Sequence, residues 1–541
     1  MVDITLRQFG GISPRTPARY LGETQAQVAV NCPTWLGSLA PIPDTLQVAS
    51  FSKAGAINSI YRFGQDFGSK TQYWFHWTEE VDVVRGAING DVTERTFYTG
   101  VGAPKATDNA LALTGAGTNY PLAYYMLGVP QPTVGPTAVA QGTATPGSTP
   151  ERRVYTYTLV NSWGEESAPV TDPGPTATVD VSDGQTVDIT FPAAPSGNYS
   201  PQYRRLYRAV DGVFLLVYIN GVADIPVATG SVTDSATADE LGEEMPSLTW
   251  LPPPSDMAGL VGLPNGLLAG FSGIDVCFCE PYRPFAWPVQ YRQSVGYDIV
   301  GLGVIDTTTV ALTNGKPFFI QGSHPDSMVV VEADVSQACV SKQSIVSVAG
   351  SVFYASPDGL VRLSPNGSDV VTATRYDKKQ WQQLKPESIR AFQYELKYIA
   401  FYDTGTVQGG FIYDIVSGEL TTHSMYATGG YNDLKADTLF LIVDNTLHEW
   451  EAGASLSYTW KSKKFTYPRP VGFACFRVRA ETYPINFTLY KDGVAHYATS
   501  VTDGGVRRLP SGLGTTYEIE LSGTGEVYEV KVASSMGAID G

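Results

Sequence analysis

Val352-Phe353-Tyr354-Ala355-Ser356-Pro357-Asp358-Gly359-Leu360-Val361 is an apolar run, a break built of turn formers, and a second apolar run. β-Branched and aromatic residues suit a pleated, buried surface, whereas Ser, Pro, Asp and Gly punctuate a chain. The stretch therefore reads as two strands joined by a turn. Outward from it the same phrase returns at roughly 40–45 residues, the period of four-stranded propeller blades. Residues 260–270 carry a copy with Pro264-Asn265-Gly266 at the turn, and residues 300–315 carry another ending in Asn314-Gly315. Ile345-Val346-Ser347-Val348 leads into the quoted stretch, and two further copies occupy residues 398–414 and 439–450. A tight hairpin needs positive φ, which Gly and Asn tolerate. Asn265, Gly266, Asn314, Gly315, Asp358 and Gly359 are accordingly assigned to structural turns.

One similar candidate lies near the N-terminus, in residues 57–63, then Gln72 to Trp77 and residues 81–84. Between it and the main series, a Pro/Gly/Thr-rich linker at 128–150 opens a different pattern. Arg153-Val154-Tyr155-Thr156-Tyr157-Thr158-Leu159-Val160 alternates cleanly, turns at 161–165, and resumes at 176–191 and 203–218. Strands at such spacing with turn signals read as a small β-sandwich. It closes at the proline-rich run 243–254 and stands as an insertion. The fold class expected is all-β, a β-propeller with an inserted β-sandwich and a C-terminal β-sandwich. The boundaries are 1–134 for the N-terminal segment with part of the propeller, 135–247 for the insertion, 248–453 for the main blades and 454–541 for the C-terminal sandwich. Hairpin turns are expected at Lys491-Asp492-Gly493 and Asp503-Gly504-Gly505. Helix is confined to two short candidates, 23–31 and 378–384.

Composition agrees with strands and turns: 55 Gly and 36 Pro stand in a chain whose charged residues are only 16%. A hydrophobic content of 43% supports large cores and excludes disorder. The 36 Lys and Arg against 53 Asp and Glu leave a net charge of −17. Such a chain is a poor wrapper of nucleic acid. The excess serves solubility or faces DNA without gripping it, and composition does not separate the two. Five scattered cysteines are no disulfide framework, and Cys277 and Cys279 have no further ligands at zinc-finger spacing. No apolar run approaches a membrane span, and the first residues lack a signal-peptide core. A soluble protein made in a reducing cytoplasm is expected.

Chemistry is sparse. None of the five histidines has a ligand or acid at motif spacing, and neither a nucleophile elbow nor a phosphate loop occurs. No catalytic residue, metal or cofactor is expected. Ser356-Pro357-Asp358-Gly359 tempts toward propeller glycosidases but is read as a turn. Glu165 and Glu166 are read as a solvated loop rather than an acid/base dyad. The basic clusters at Arg152-Arg153, Arg204-Arg205 with Arg208, 461–464 and Arg507-Arg508 are read as intersubunit or solvated charges.

Several phrases carry a resemblance. They are Phe9-Gly10-Gly11-Ile12; Ala26-Gln27-Val28-Ala29-Val30-Asn31-Cys32; Gly37-Ser38-Leu39-Ala40-Pro41; Leu263-Pro264-Asn265-Gly266-Leu267-Leu268-Ala269-Gly270-Phe271; Cys279-Glu280-Pro281-Tyr282-Arg283-Pro284-Phe285-Ala286-Trp287-Pro288; Ala338-Cys339-Val340-Ser341-Lys342-Gln343-Ser344; and residues 354–361. In these the chain resembles the tail nozzle proteins of short-tailed bacteriophages, also called tail tubular protein B. The insertion resembles a fibronectin type III domain through Tyr155-x-Tyr157 and Asn161-x-x-Gly164-Glu165-Glu166-Ser167. The resemblance implies a structural virion protein, synthesised in the host cytoplasm and resident in the tail, with no catalytic residue. It implies a homohexameric ring attached to the adaptor, with tail fibres as further partners and genomic DNA passing through the lumen without specific binding. Arg15, Arg19, Tyr282, Arg283, Trp287, Arg507 and Arg508 are the candidate intersubunit or adaptor contacts. The alternative is a tail-borne propeller that binds or hydrolyses a glycan.

Overall fold

Around Asp358 the two apolar runs form antiparallel strands, Ser351–Ala355 and Leu360–Ser364, with Val352 opposite Leu363 and Ala355 opposite Leu360. Both faces of the first strand are buried, which is why its sequence is continuously apolar rather than alternating. Val346–Val348 and Gly367–Val370 complete a four-stranded sheet. The computed structural model describes residues 3–34, 36–64, 70, 73–88 and 90–539. It is all-β, and the α-helices among the described residues are single short turns at Asn109–Leu113 and Lys378–Gln382. The chain divides into two units, residues 1–79, 310–318 and 332–541, and residues 80–309 and 319–331.

In the first unit, Gly429–Asp433, Thr438–Val443 and Thr446–Glu449 form a sheet whose fourth strand, Leu46–Ser50, comes from nearly four hundred residues upstream in the chain. Arg390–Tyr394, Lys397–Asp403, Gln408–Asp414 and Leu420–His423 pair in order. Ala26–Val30 then joins Leu420–His423 to Tyr458–Ser462, so that the C-terminal strands continue one ten-stranded sheet. Residues 23–31 are thus not the helix expected. Their Ala and Gln suit a helix in isolation, but pairing on both edges overrides that weak preference. A second sheet, Asp3–Leu6, Val527–Ala533, Cys475–Ala480 and Arg507–Arg508, faces the first across a core of Leu6, Phe476, Val478, Phe487, Ile519, Leu521 and Val530. The C-terminal body is therefore two facing sheets that borrow a strand from the chain's beginning. Its hairpin at Asp492-Gly493 has φ of 52° and 84°, the geometry that two-residue turns require. Gln72, the first residue of an expected strand, lies outside the described residues, and the described strand runs Trp74–Trp77.

The second unit contains two four-stranded antiparallel sheets, one from Asp82–Arg85 to Tyr125–Met126 and one from Ala258–Gly262 to Gln293–Ser294. Between them in sequence, Thr137–Gln141, Thr186–Thr190 and Ser231–Asp234 make one sheet; Glu151–Asn161, Thr178–Val181, Pro201–Val210, Val213–Val217 and Ile225–Pro226 make another. Tyr155, Leu159, Val187, Ile189, Leu206 and Val217 share the core between them. Arg204 and Arg208 are not solvated or intersubunit charges. Arg208 is fully buried and pairs with Asp234 at 2.9 Å, and Arg204 donates to the carbonyls of Pro192, Val227 and Thr229. A strand side chain that points inward carries its guanidinium with it, and these bonds offset the cost of burial only in part, since Arg208 Nε and Nη2 and Arg204 Nε are buried without a partner. A further four-stranded sheet, from Ile299–Ile305 to Val329–Glu332, contains the sequence positions at which the two units divide.

Candidate functional site

The expected turn residues occupy turns, by means that differ from one to the next. Gly266 has φ of 77°, and the Tyr282 ring lies where a Cβ would come within 2.5 Å. Asn265 Nδ2 donates to the Ser323 carbonyl at 3.2 Å. At Asn314-Gly315 the organiser is Thr313, whose hydroxyl accepts from the Gly315 amide at 3.0 Å and donates to the Lys316 carbonyl at 2.7 Å. Ser356 plays that part for Asp358-Gly359, accepting from both amides at 3.2 Å. Gly359 does not have the positive φ expected of it; a Cβ there would meet Val370 Cγ1 at 2.5 Å and Thr372 Oγ1 at 2.6 Å, so close packing explains the glycine. Asp358 pairs with Lys378 at 2.7 Å and accepts from Gln337, and these hold its carboxyl below the ordinary range.

The candidate contact residues separate. Arg15 and Arg19 are exposed, with Arg15 donating to the Ala373 carbonyl and Arg19 lying 4.7 Å over the Tyr20 ring. Arg508 is exposed and Arg507 half-buried beside Asp503. Trp287 is 1% exposed, and its indole donates to the Pro284 carbonyl at 2.8 Å; it packs inside its own chain and offers no contact surface. Its apolar bulk follows Pro284-Phe285-Ala286, a segment whose turn folds it inward.

That segment walls a cleft of about 530 Å³ in the second unit. Prolines 281 and 284 restrict the backbone, and the turn is closed by Arg283 N to the Glu280 carbonyl, Ala286 N to the Arg283 carbonyl and Tyr282 N to the Gly266 carbonyl. Tyr282 is exposed, and the Arg283 guanidinium lies 4.3 Å over the Trp250 ring. Opposite stand residues that sequence reading missed. Arg95 pairs with Glu165 at 2.8 Å and stacks 3.9 Å over the Trp163 ring. Trp163 is fixed by its indole donation to Asp108 at 2.9 Å, and Glu165 by Asn161 Nδ2 at 2.7 Å. Asp91 accepts from the amides of Thr93 and Arg95.

Glu165 and Glu166 are buried, which corrects their reading as a solvated loop. Adjacent carboxylates look solvated in sequence because their partners are remote: Arg95 is 70 residues upstream of Glu165, and Arg205 is 39 downstream of Glu166. Glu166 also accepts from Thr158, Tyr207 and Ser247. Burial pushes the Glu165 carboxyl above its ordinary range, against the opposing pull of Arg95 and Asn161. At Asp91 burial is outweighed by hydrogen bonds from Thr93 and Arg95, and its carboxyl stays low. The one sequence signal for this site was Asn161-x-Trp163, an amide-capped turn carrying a large aromatic. Among the described residues no group of three His, Cys, Asp or Glu side chains could hold a metal ion, and no helix is long and apolar enough to cross a membrane. All five cysteines are buried free thiols.

No family model and no curated protein matches the chain. Among solved structures, it is similar to BBS1N in complex with ARL6DN, at 11% identity over 49% of this chain and 82% of that one, with a TM-score of 0.25. It is also similar to the extracellular domain of a hybrid two component system from B. thetaiotaomicron, at 10% identity over 93% and 80%, TM-score 0.26. PorZ, of the type-IX secretion system of Porphyromonas gingivalis, aligns at 10% identity over 89% and 82%, TM-score 0.24. None of these is a phage tail protein, and likeness at this level carries no argument about fold or function.

Proposed function

We propose that the chain is a structural protein of a short-tailed phage virion, the tail nozzle, with six copies forming a ring-shaped conduit for genome ejection below the adaptor. In this reading the four-stranded sheets are propeller blades, residues 135–247 are an inserted fibronectin type III-like sandwich, and the adaptor above the ring and tail fibres are partners. The observation that carries it is the set of nozzle-like phrases, which span strands and their turns in both units, from residues 26–32 to 354–361. Two features support it. Leu46–Ser50 completes the sheet of 429–449, the device by which a strand from one end of a chain closes a circular array of blades. A net charge of −17 gives a lumen that repels phosphate and keeps DNA moving.

The hydrolase alternative is disfavoured by the cleft itself. Its two carboxylates are spent, Asp91 on backbone amides and Glu165 on Arg95 and Asn161, so neither is free to serve as acid or nucleophile. Electron microscopy of virions containing the chain tests the proposal. A ring of six copies with heterologous contacts at the tail end is expected. An isologous dimer, or absence of the chain from the tail, overturns it.

A further inference from the structure

The chemistry of the cleft in the second unit can be tested independently of the conduit, although Tyr282 and Arg283 on its wall are also candidate contacts in a ring. Two guanidinium groups line it, each held flat against an indole: Arg95 on Trp163 and Arg283 on Trp250. Arg95 spends one nitrogen on Glu165, while its buried Nε has no hydrogen-bond partner. Arg283 has no carboxylate partner among the described residues, yet its planar fork matches a carboxylate with two parallel hydrogen bonds. Beside these donors stand the exposed Tyr282 ring, seated on Gly266, and Phe285, which packs edge-on against Trp250 with ring centroids 5.7 Å apart. The prolines hold this wall in place before any ligand arrives, which lowers the ordering cost of binding.

We infer that the cleft is a binding site for a sugar ring bearing a carboxylate, such as a uronic acid unit of an acidic polysaccharide. The carboxylate would pair with Arg283, and the apolar C–H face would lie on Tyr282 and Phe285. A volume of about 530 Å³ suits a small ligand of one or two rings, within the range of roughly 300–1,000 Å³ for such sites. Asp91 beside Arg95, and the acidity of the chain, oppose anions in general and the more highly charged phosphate most, so a singly charged carboxylate paired with Arg283 is the anion the cleft tolerates best.

The test uses the full chain and three probes: methyl β-D-glucuronide, its neutral twin methyl β-D-glucoside, and inorganic phosphate, with binding followed by saturation-transfer NMR and calorimetry. The glucuronide is expected to bind at least about tenfold more tightly than the glucoside, the scale of one charge-assisted pair. Arg283→Gln should reduce glucuronide affinity to that of the glucoside, with unchanged circular dichroism, since Arg283 is an exposed side chain. Tyr282→Ala should weaken both sugars together. Failure of the glucuronide to bind, equal binding by Arg283→Gln, or phosphate binding as tightly as the glucuronide overturns the inference. None of these outcomes bears on ring stoichiometry, so the conduit proposal stands or falls separately.

Discussion

The two-sheet body at 137–234 and the C-terminal two-sheet body solve the same packing problem with different chemistry between their sheets. Between the sheets at 137–234, Arg208 and Asp234 are both fully buried, and Tyr155 Oη donates to the same carboxylate at 2.7 Å. The C-terminal body keeps its centre apolar, with Phe476 stacked on Phe487 at 4.1 Å and Val478, Val530 and Ile519 around them. Its charges lie on the sides of the strands away from that centre, where the buried carboxylates of Glu529 and Glu518 meet Arg7, Arg477 and Arg479, and Lys461 and Lys464, respectively. A buried ion pair is weak evidence for stability, but losing one partner leaves an uncompensated charge. The 137–234 body should therefore break sharply at one residue, whereas the core of the C-terminal body should yield in proportion to the volume removed.

Asp234→Ala is the strongest way to break that contrast. It strands Arg208 without a carboxylate and should cost about 3–5 kcal/mol. Hydrogen exchange should accelerate through 137–234 and leave the strands of 458–533 protected; equal loss in both would erase the distinction. Val530→Ala should do the reverse at about 2 kcal/mol, from two lost methyl groups plus a small cavity. Exchange would then rise in the C-terminal body alone.

Acid sharpens the contrast further, because the two regions hold carboxylates shifted in opposite directions. Glu165, in the turn at 161–165 of the second unit, is raised by burial, and Arg95 only partly opposes this. A carboxyl raised in the folded state binds its proton more readily there than when unfolded, so its contribution grows as pH falls toward the ordinary value of 4.5 and is lost as pH rises above the folded value. Burial also acts on Glu529, but the hydrogen bonds and charges of Arg7, Arg477 and Arg479 outweigh it and hold the carboxyl low. Its contribution is present above the unfolded value and is lost as pH falls through the folded one. Each group changes stability by at most roughly 1.4 kcal/mol per pH unit across its own window. Region-resolved exchange between pH 7 and pH 4 should show the Glu165 turn gaining protection relative to its Glu165→Gln variant, and the Glu529 strand losing it relative to Glu529→Gln. Shifts of the same sign would defeat the assignment of burial to one and cations to the other.

Legibility in the sequence followed the range of the interactions. Strands such as Ser351–Ala355 and Glu151–Asn161 declared themselves through local apolar patterning, and Asp492-Gly493 through the φ that its turn demands. Ala26–Val30 did not, because its strand character comes from partners near residues 422 and 460. Tyr282 and Arg283 were singled out through their proline-framed phrase, but as contacts to another subunit or the adaptor and not as the wall of a cleft. The opposite wall joins Arg95 to Glu165 across 70 residues, and no spacing rule connects them. Gly359 was placed in a turn but for the wrong cause, since crowding by Val370 and Thr372 is invisible until the sheet is assembled.

The smallest effect concerns Arg507, on the edge strand that forms the rim of the sheet carrying Glu529, and bears on what that rim is for. Arg507 meets Asp503 at 3.3 Å with the aspartate largely exposed, and also donates to Ser500 and Thr502. Solvent screens such a pair, and its two side chains lose freedom to form it. Arg507→Ala should therefore shift the unfolding midpoint by less than about 0.5 kcal/mol and leave exchange in both bodies unchanged. If the rim is a contact between copies, the same substitution should lower the fraction assembled into rings, read by light scattering and by electron microscopy. Stability lost without any change in assembly would make Arg507 a support of its own sheet, and would remove it from the surface on which a conduit is built.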